Sequence, residues 1–278
     1  MALSVFAIVL FAAALHATWN ALVKGAGDKL LTTVLVAASA SLIAAVVLPF
    51  LPQPAPASWP FIATSTVLQV GYFVLVARAY HAADMSQTYP LMRGTAPLLV
   101  ALASVAWIGE PLSANGWIGI AVICAGILSM MGGIPGRDSR TGVLLALMNA
   151  VVIAGYTLVD GVGVRLSGSP AAYTLWLSLL TGPPLVLWAL LTRREVFRRY
   201  TAGNWHLGLI GGVGTVSSYG IALWAMTLAP VAVVAALRET SILFGAAISG
   251  LVLKERVGGT RIIAALVIAA GAMILRMR

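Results

Sequence analysis

The sequence predicts an all-α integral membrane protein: ten transmembrane helices arranged as two inverted-topology repeats of five around a central cavity. The first observation is composition. Of 278 residues, 60% are hydrophobic and 9% are charged, against roughly a quarter charged in a soluble domain. The second is patterning. The apolar residues fall into runs of about 20 separated by short polar stretches, the length a helix needs at ~1.5 Å per residue to cross a ~30 Å hydrocarbon core. Strands of about ten residues alternating in polarity, as a transmembrane barrel requires, do not occur in the sequence. The third is duplication. Arg238 lies 145 residues after Arg93, Glu255 lies 145 after Glu110, and Gly271 lies 145 after Gly126, each in the same local setting.

Taken in order, the spans are predicted at about 3–23, 30–51, 58–79, 85–108, 114–133, 141–161, 170–191, 204–226, 230–253 and 258–276. The first run starts at Ala2 with no basic segment ahead of it, so it is read as a retained span, although Ala12 to Ala14 resemble a cleavage site. Pro52, Pro54, Pro56 and Pro60 mark the second loop, and Arg137, Asp138 and Arg140 mark the join between the repeats, taken as residues 1–136 and 137–278. Leu22 to Gly27 echoes Leu158 to Gly163 at an offset of 136, and Trp59 echoes Trp205 at 146. Because five is odd, the second copy enters the membrane from the opposite side.

Charge gives the orientation. With Lys24, Lys29, Arg78, Arg137, Arg140, Arg193, Arg194, Arg198, Arg199, Lys254, Arg256 and Arg261 on one face, only Arg165, Arg276 and Arg278 fall on the other. The positive-inside rule makes the first face cytoplasmic and puts both termini outside. Lys24 and Lys29 follow span one, whereas the corresponding loop after span six is read as holding Asp160 and Arg165, the opposite bias that inversion demands. The formal charge of +9 therefore reflects topology and gives no support for nucleic-acid binding. Cys124 is the single cysteine, and His16, His81 and His206 are far apart, so neither an internal disulfide nor a metal site is expected.

Arg93 and Arg238 each lie about 12 Å deep in their spans, where a charge is unfavourable by about 2.5 to 3.5 kcal/mol on insertion scales. Each faces a polar interior, a partner or an anion, for which the planar guanidinium is matched. An ion pair with Glu239 is the structural alternative, and Glu239 is also a position for a coupling proton. Adjacent helical residues point about 100° apart, so the partner of Arg238 must come from another helix. His16, Trp19 and Asn20 in span one, Gln69 and Tyr72 in span three, Asn149 and Tyr156 in span six, and Tyr219 and Trp224 in span eight are either packing contacts or the lining of a shared cavity, to which Tyr89 also belongs. Trp59, Trp107, Trp117 and Trp205 read as interfacial anchors. Pro90, Pro97, Pro183 and Pro184 are possible bending points. Glu110 and Glu255 read as boundary residues. The four-residue spacings Ala265–Ala269 and Ala246–Gly250 read as close helix contacts within one chain, and a monomer is expected in preference to a dimer.

Gly109-Glu110 ending span four, Gly126 in span five, and Glu255 and Gly271 in the second half resemble the drug/metabolite transporter superfamily in its EamA-type branch, with Lys254 standing where that branch has glycine. The resemblance implies a basket of helices around a cavity, with spans five and ten as supports. It also implies alternating access for a small-molecule substrate in the lipid bilayer. Within that branch the chain is similar to bacterial inner-membrane exporters of aromatic amino acids and related metabolites. Other members carry sugars or phosphorylated metabolites. Without a nucleotide-binding loop, facilitated diffusion or proton exchange is the expected energy source. No cofactor or catalytic residue is expected. An intramembrane enzyme acting on lipid or acyl substrates is the competing class, but His16 lacks the evident acidic partner that such chemistry needs.

Overall fold

The computed structural model describes residues 1–131, 140–251 and 258–277, and leaves aside the side chains of residues 22–25. Of the positions named above, Arg137, Asp138, Lys254, Glu255, Arg256 and Arg278 lie outside the described residues, as does the Lys24 side chain. All regular structure among the described residues is helical.

The first six predicted spans correspond to α1 (Leu3–Gly25), α2 (Lys29–Val47), α3 (Trp59–Ala82), α4 (Met85–Ala103), α5 (Ala114–Ser129) and α6 (Arg140–Ser167). Local chemistry sets several boundaries. The Asp28 carboxylate accepts from Leu31 N at 3.0 Å and starts α2, and the Ser113 hydroxyl accepts from Gly116 N at 3.1 Å and starts α5. α4 widens into a π-helical turn over Ser104–Ile108 and stops at Gly109, whose φ of 73° lies in the left-handed region that favours glycine.

The second half departs from the predicted spans in two places. Spans seven and eight form one helix, α7 (Pro170–Met226), of 57 residues, which would be about 85 Å long if straight. It is divided at Arg193, with φ −142° and ψ 37°. The predicted loop around 192–203 is helical because Phe197 is buried against Leu31, Val34 and Ala189, and Arg193 pairs with Asp28 at 3.9 Å. Pro183 and Pro184 lie inside the first arm, so the break is not at the prolines named as bending points. Span nine is interrupted: α8 (Val231–Arg238) ends and α9 (Ser241–Leu251) begins after Glu239 and Thr240. Here Glu239 N donates to Ala236 O and Thr240 N to Leu237 O, at 3.1 and 3.0 Å, tightening the turn to an i,i+3 pattern. The Thr240 hydroxyl donates to the same Leu237 carbonyl at 2.6 Å, competing with the regular helical bond. α10 (Gly259–Arg276) completes the chain. With α7 taken as one, eight helical stretches among the described residues are long and apolar enough to cross a membrane, and α5 is a shorter apolar helix.

α5 and α10 pack antiparallel at close range. A Cβ on Gly126 would lie 2.8 Å from Ile268 and 3.2 Å from the Ala264 carbonyl, and one on Gly271 would lie 2.7 Å from Ile123 and 2.9 Å from the Gly119 carbonyl. Gly119 and Ala264, and Ile123 and Ile268, are themselves 145 residues apart, so the contact is reciprocal. α2 likewise runs antiparallel to the first arm of α7. Leu31 and Val34 meet Ala189, the Ser41 hydroxyl donates to the Ser178 carbonyl at 2.7 Å, and Ala44 and Leu48 meet Ala172 and Leu175. α1, α3, α4, α6, the second arm of α7 and α8 then surround a polar interior. Bulky apolar side chains such as Phe50, Trp107, Leu191 and Leu251 lie exposed on the outside, as a lipid-facing surface requires.

Candidate functional site

Arg93 reaches into this interior from the middle of α4. Its Nε lies 2.9 Å from Oε2 of Glu239, with both side chains nine-tenths buried or more. The two atoms sit off the axis of a hydrogen bond, so the contact is an ion pair. Tyr89, one turn earlier on α4, lies beside the same guanidinium. The break between α8 and α9 explains why adjacent residues serve different partners. Arg238 is the last residue of α8 and Glu239 lies in the break, so Glu239 turns to α4 while Arg238 turns to α7.

The Arg238 guanidinium lies 4.9 Å above the centre of the Tyr219 ring. Among the described residues it makes no hydrogen bond and no ion pair; the Tyr219 face is its contact. The two arginines border two small adjoining pockets, together the cavity of this interior. One is lined by Arg93, Pro97, Tyr156, Thr157, Arg238 and Glu239. The other is lined by Ala12, Ala13, His16, Arg93, Ser218 and Arg238.

Tyr219 leads from the cavity to a second polar cluster. Its hydroxyl donates to Oδ2 of Asp160, Tyr173 donates to Oδ1 at 3.0 Å, and Gln69 donates to Oδ2 at 3.4 Å and to Ser65 at 3.1 Å. Asp160 is fully buried. The sequence reading placed it in the loop after span six. Instead α6 continues to Ser167, because α3 and α7 pack on its last turns: a Cβ on Gly163 would lie 2.6 Å from Phe61 and 2.4 Å from the Tyr173 hydroxyl. The flanking Gly161 and Gly163 were the available signal. Arg165 also lies in α6, donating to the Met226 and Ala229 carbonyls at 2.7 and 3.0 Å and pairing with Glu110. Glu110 in turn accepts from Ser104 Oγ and Val231 N, each at 2.9 Å, and so fastens the start of α8.

The structure thus gathers His16, Arg93, Tyr156, Arg238 and Glu239 on the cavity, with Gln69, Tyr72, Tyr89 and Tyr219 behind them. Tyr72 meets Tyr156 edge-on at 6.1 Å. Trp19 packs edge-on against His16 at 5.2 Å and against Gly214, with its buried indole N–H unpaired. Three expected lining residues do not join them. Asn20 is exposed and donates to the His16 carbonyl of its own helix at 2.7 Å; a short side chain near a helix end bonds its preceding turn. Asn149 is buried between α6 and α4, donating to Met92 Sδ at 2.9 Å. Trp224 is 38% exposed and lines neither pocket, because its turn of α7 presents it outward. Ser65, Asp160, Tyr173 and Ser218 were not anticipated in this role.

A solved structure described as "Crystal structure of protein" matches with a TM-score of 0.77 at 21% identity, covering 99% of this chain and 98% of its own; it shares the fold. "Uncharacterized protein y4nH" of Sinorhizobium fredii (strain NBRC 101917 / NGR234) is 32% identical over 60 residues, 22% of this chain. The chain spans about half the length of that relative, 51%. The model of the EamA-like transporter family matches residues 3–132 and again 140–277. With that match covering nearly the whole chain, the protein belongs to the EamA-like transporter family, whose members move small solutes across membranes.

Proposed function

We propose that this protein is a secondary transporter of the bacterial inner membrane that exports amino acids, aromatic or otherwise hydrophobic, by alternating access. The observation that carries the reading is the inequality of the two arginines. Arg93 is neutralised by Glu239, whereas Arg238 borders the small interior pockets with no ion-pair partner among the described residues. A planar cation so placed is completed by a carboxylate. Tyr156 borders the same space and offers an aromatic ring to an apolar or aromatic side chain.

Counting the two arms of α7 separately, and α8 with α9 as one interrupted span, gives ten spans in two sets of five. The antiparallel, reciprocal contact of α5 and α10 and the two family matches support an inverted repeat divided near residues 136 and 137. On the charge distribution both termini are periplasmic. The two halves then rock about the cavity, with the interruption at Glu239–Thr240 as a yielding point.

The test is flux into liposomes holding the purified protein, using a panel of labelled amino acids and, because a guanidinium also fits phosphate, sugar phosphates. An amino acid is moved unaltered, and Arg238→Ala abolishes its flux while the protein remains folded. Flux of sugar phosphates alone replaces the substrate class. Unchanged flux in Arg238→Ala removes Arg238 from the site.

A further inference from the structure

Glu239 is the obvious acid of the cavity, but the geometry disfavours it as a proton carrier, because protonating it would break its ion pair and leave Arg93 buried and uncompensated. Asp160 is differently placed. It is fully buried, and among the described residues it has no ion-pair partner; its oxygens accept from the neutral groups Tyr173, Tyr219 and Gln69. A tyrosine hydroxyl both donates and accepts. The shell that holds the carboxylate can therefore hold the carboxylic acid, with the acid proton on Oδ2 directed at the Tyr219 oxygen and the Tyr219 hydrogen turned away. An arginine partner offers no such reversal, since it has no acceptor.

We infer that Asp160 is the proton-binding site of the transport cycle, linked through Tyr219 to the anion site at Arg238. The groups facing it are Ser65 and Gln69 from α3, Tyr173 and Tyr219 from α7, and Arg238 from α8, with Tyr156 one turn earlier on α6. Arg238 is the cation whose field reaches it, standing on the Tyr219 ring. The formal charges of buried Arg93, Glu239 and Asp160 and of half-buried Arg238 sum to zero. An anion arriving at Arg238 with no positive group of its own, unlike a zwitterionic amino acid, leaves one uncompensated negative charge, and a proton on Asp160 removes it, so such an anion and the proton favour each other reciprocally. This linkage rests on the reading of Arg238 as an anion site.

The experiment uses the full chain in lipid vesicles with no transported substrate, followed by infrared difference spectroscopy during a pH titration. A protonated-carboxyl C=O band is expected in the parent, lost in Asp160→Asn and retained in Glu239→Gln. Asp160→Asn keeps a carbonyl acceptor for the tyrosines; if it does not fold, Asp160→Glu replaces it, and the band then shifts in frequency. A band unchanged by substitution of Asp160 overturns the proton site. Phenylacetate, an aromatic carboxylate without an ammonium group, is expected to increase the band at fixed pH in the parent and not in Arg238→Ala. No increase in the parent overturns the linkage. Because neither measurement needs flux, a failed transport panel leaves this result readable.

Discussion

Replacing Glu239 by Gln should destabilise the folded protein by about 3 kcal/mol, the lower end of the 3 to 5 kcal/mol typical when one member of a buried ion pair is removed. The structure sets that position in the range. Arg93 and Glu239 are 10% and 6% exposed, so water recovers little for an orphaned arginine. At their separation of 2.9 Å the gross attraction is about 6 kcal/mol for an effective dielectric constant near 20, and desolvation of both groups offsets much of it. The single off-axis contact lacks the second bond of a bidentate pair, which argues for the lower bound. Reversible unfolding in mixed micelles, with Arg93→Met and the double variant completing a mutant cycle, measures both cost and coupling. The double variant should be more stable than Glu239→Gln alone, since it buries no unpaired charge. A Glu239→Gln protein within about 0.5 kcal/mol of the parent, the range of ordinary surface substitutions, would refute the pairing.

Three further outcomes follow from packing and hydrogen bonding. Gly271→Ala places a methyl 2.9 Å from backbone atoms of both Gly119 and Ile123, so α5 and α10 must separate at a cost of about 1 to 3 kcal/mol; Gly245→Ala, with open space around it, should stabilise α9 by up to about 1 kcal/mol, and one unfolding series compares the two. Glu110→Ala removes the acceptor shared by Arg165, Ser104 and Val231 N and should lower stability by about 1.5 to 3 kcal/mol in the same assay. Asn20→Ala should leave liposome flux unchanged, because the amide bonds its own helix away from the cavity.

Hydropathy alone located the apolar helices, though not the joining of 170–191 with 204–226 into one, since each must satisfy its backbone internally and cover itself with apolar side chains whatever its neighbours are. The constant offset between Arg93 and Arg238, and between Gly126 and Gly271, was equally legible, as was the expectation that a charge so deep must face inward. What each arginine meets was not. The pairing of Arg93 with Glu239 joins α4 to the interruption after α8, and that interruption arises from an i,i+3 turn and a threonine hydroxyl at residues whose sequence reads as continuous helix. Asp160 was misplaced for the same reason: whether a polar residue beside Gly161 ends a helix or lies within it depends on whether α3 and α7 pack closely enough to bury it and supply its donors. Local pattern determines how much apolar surface a segment carries; only the packed tertiary structure decides which charges find one another and which do not.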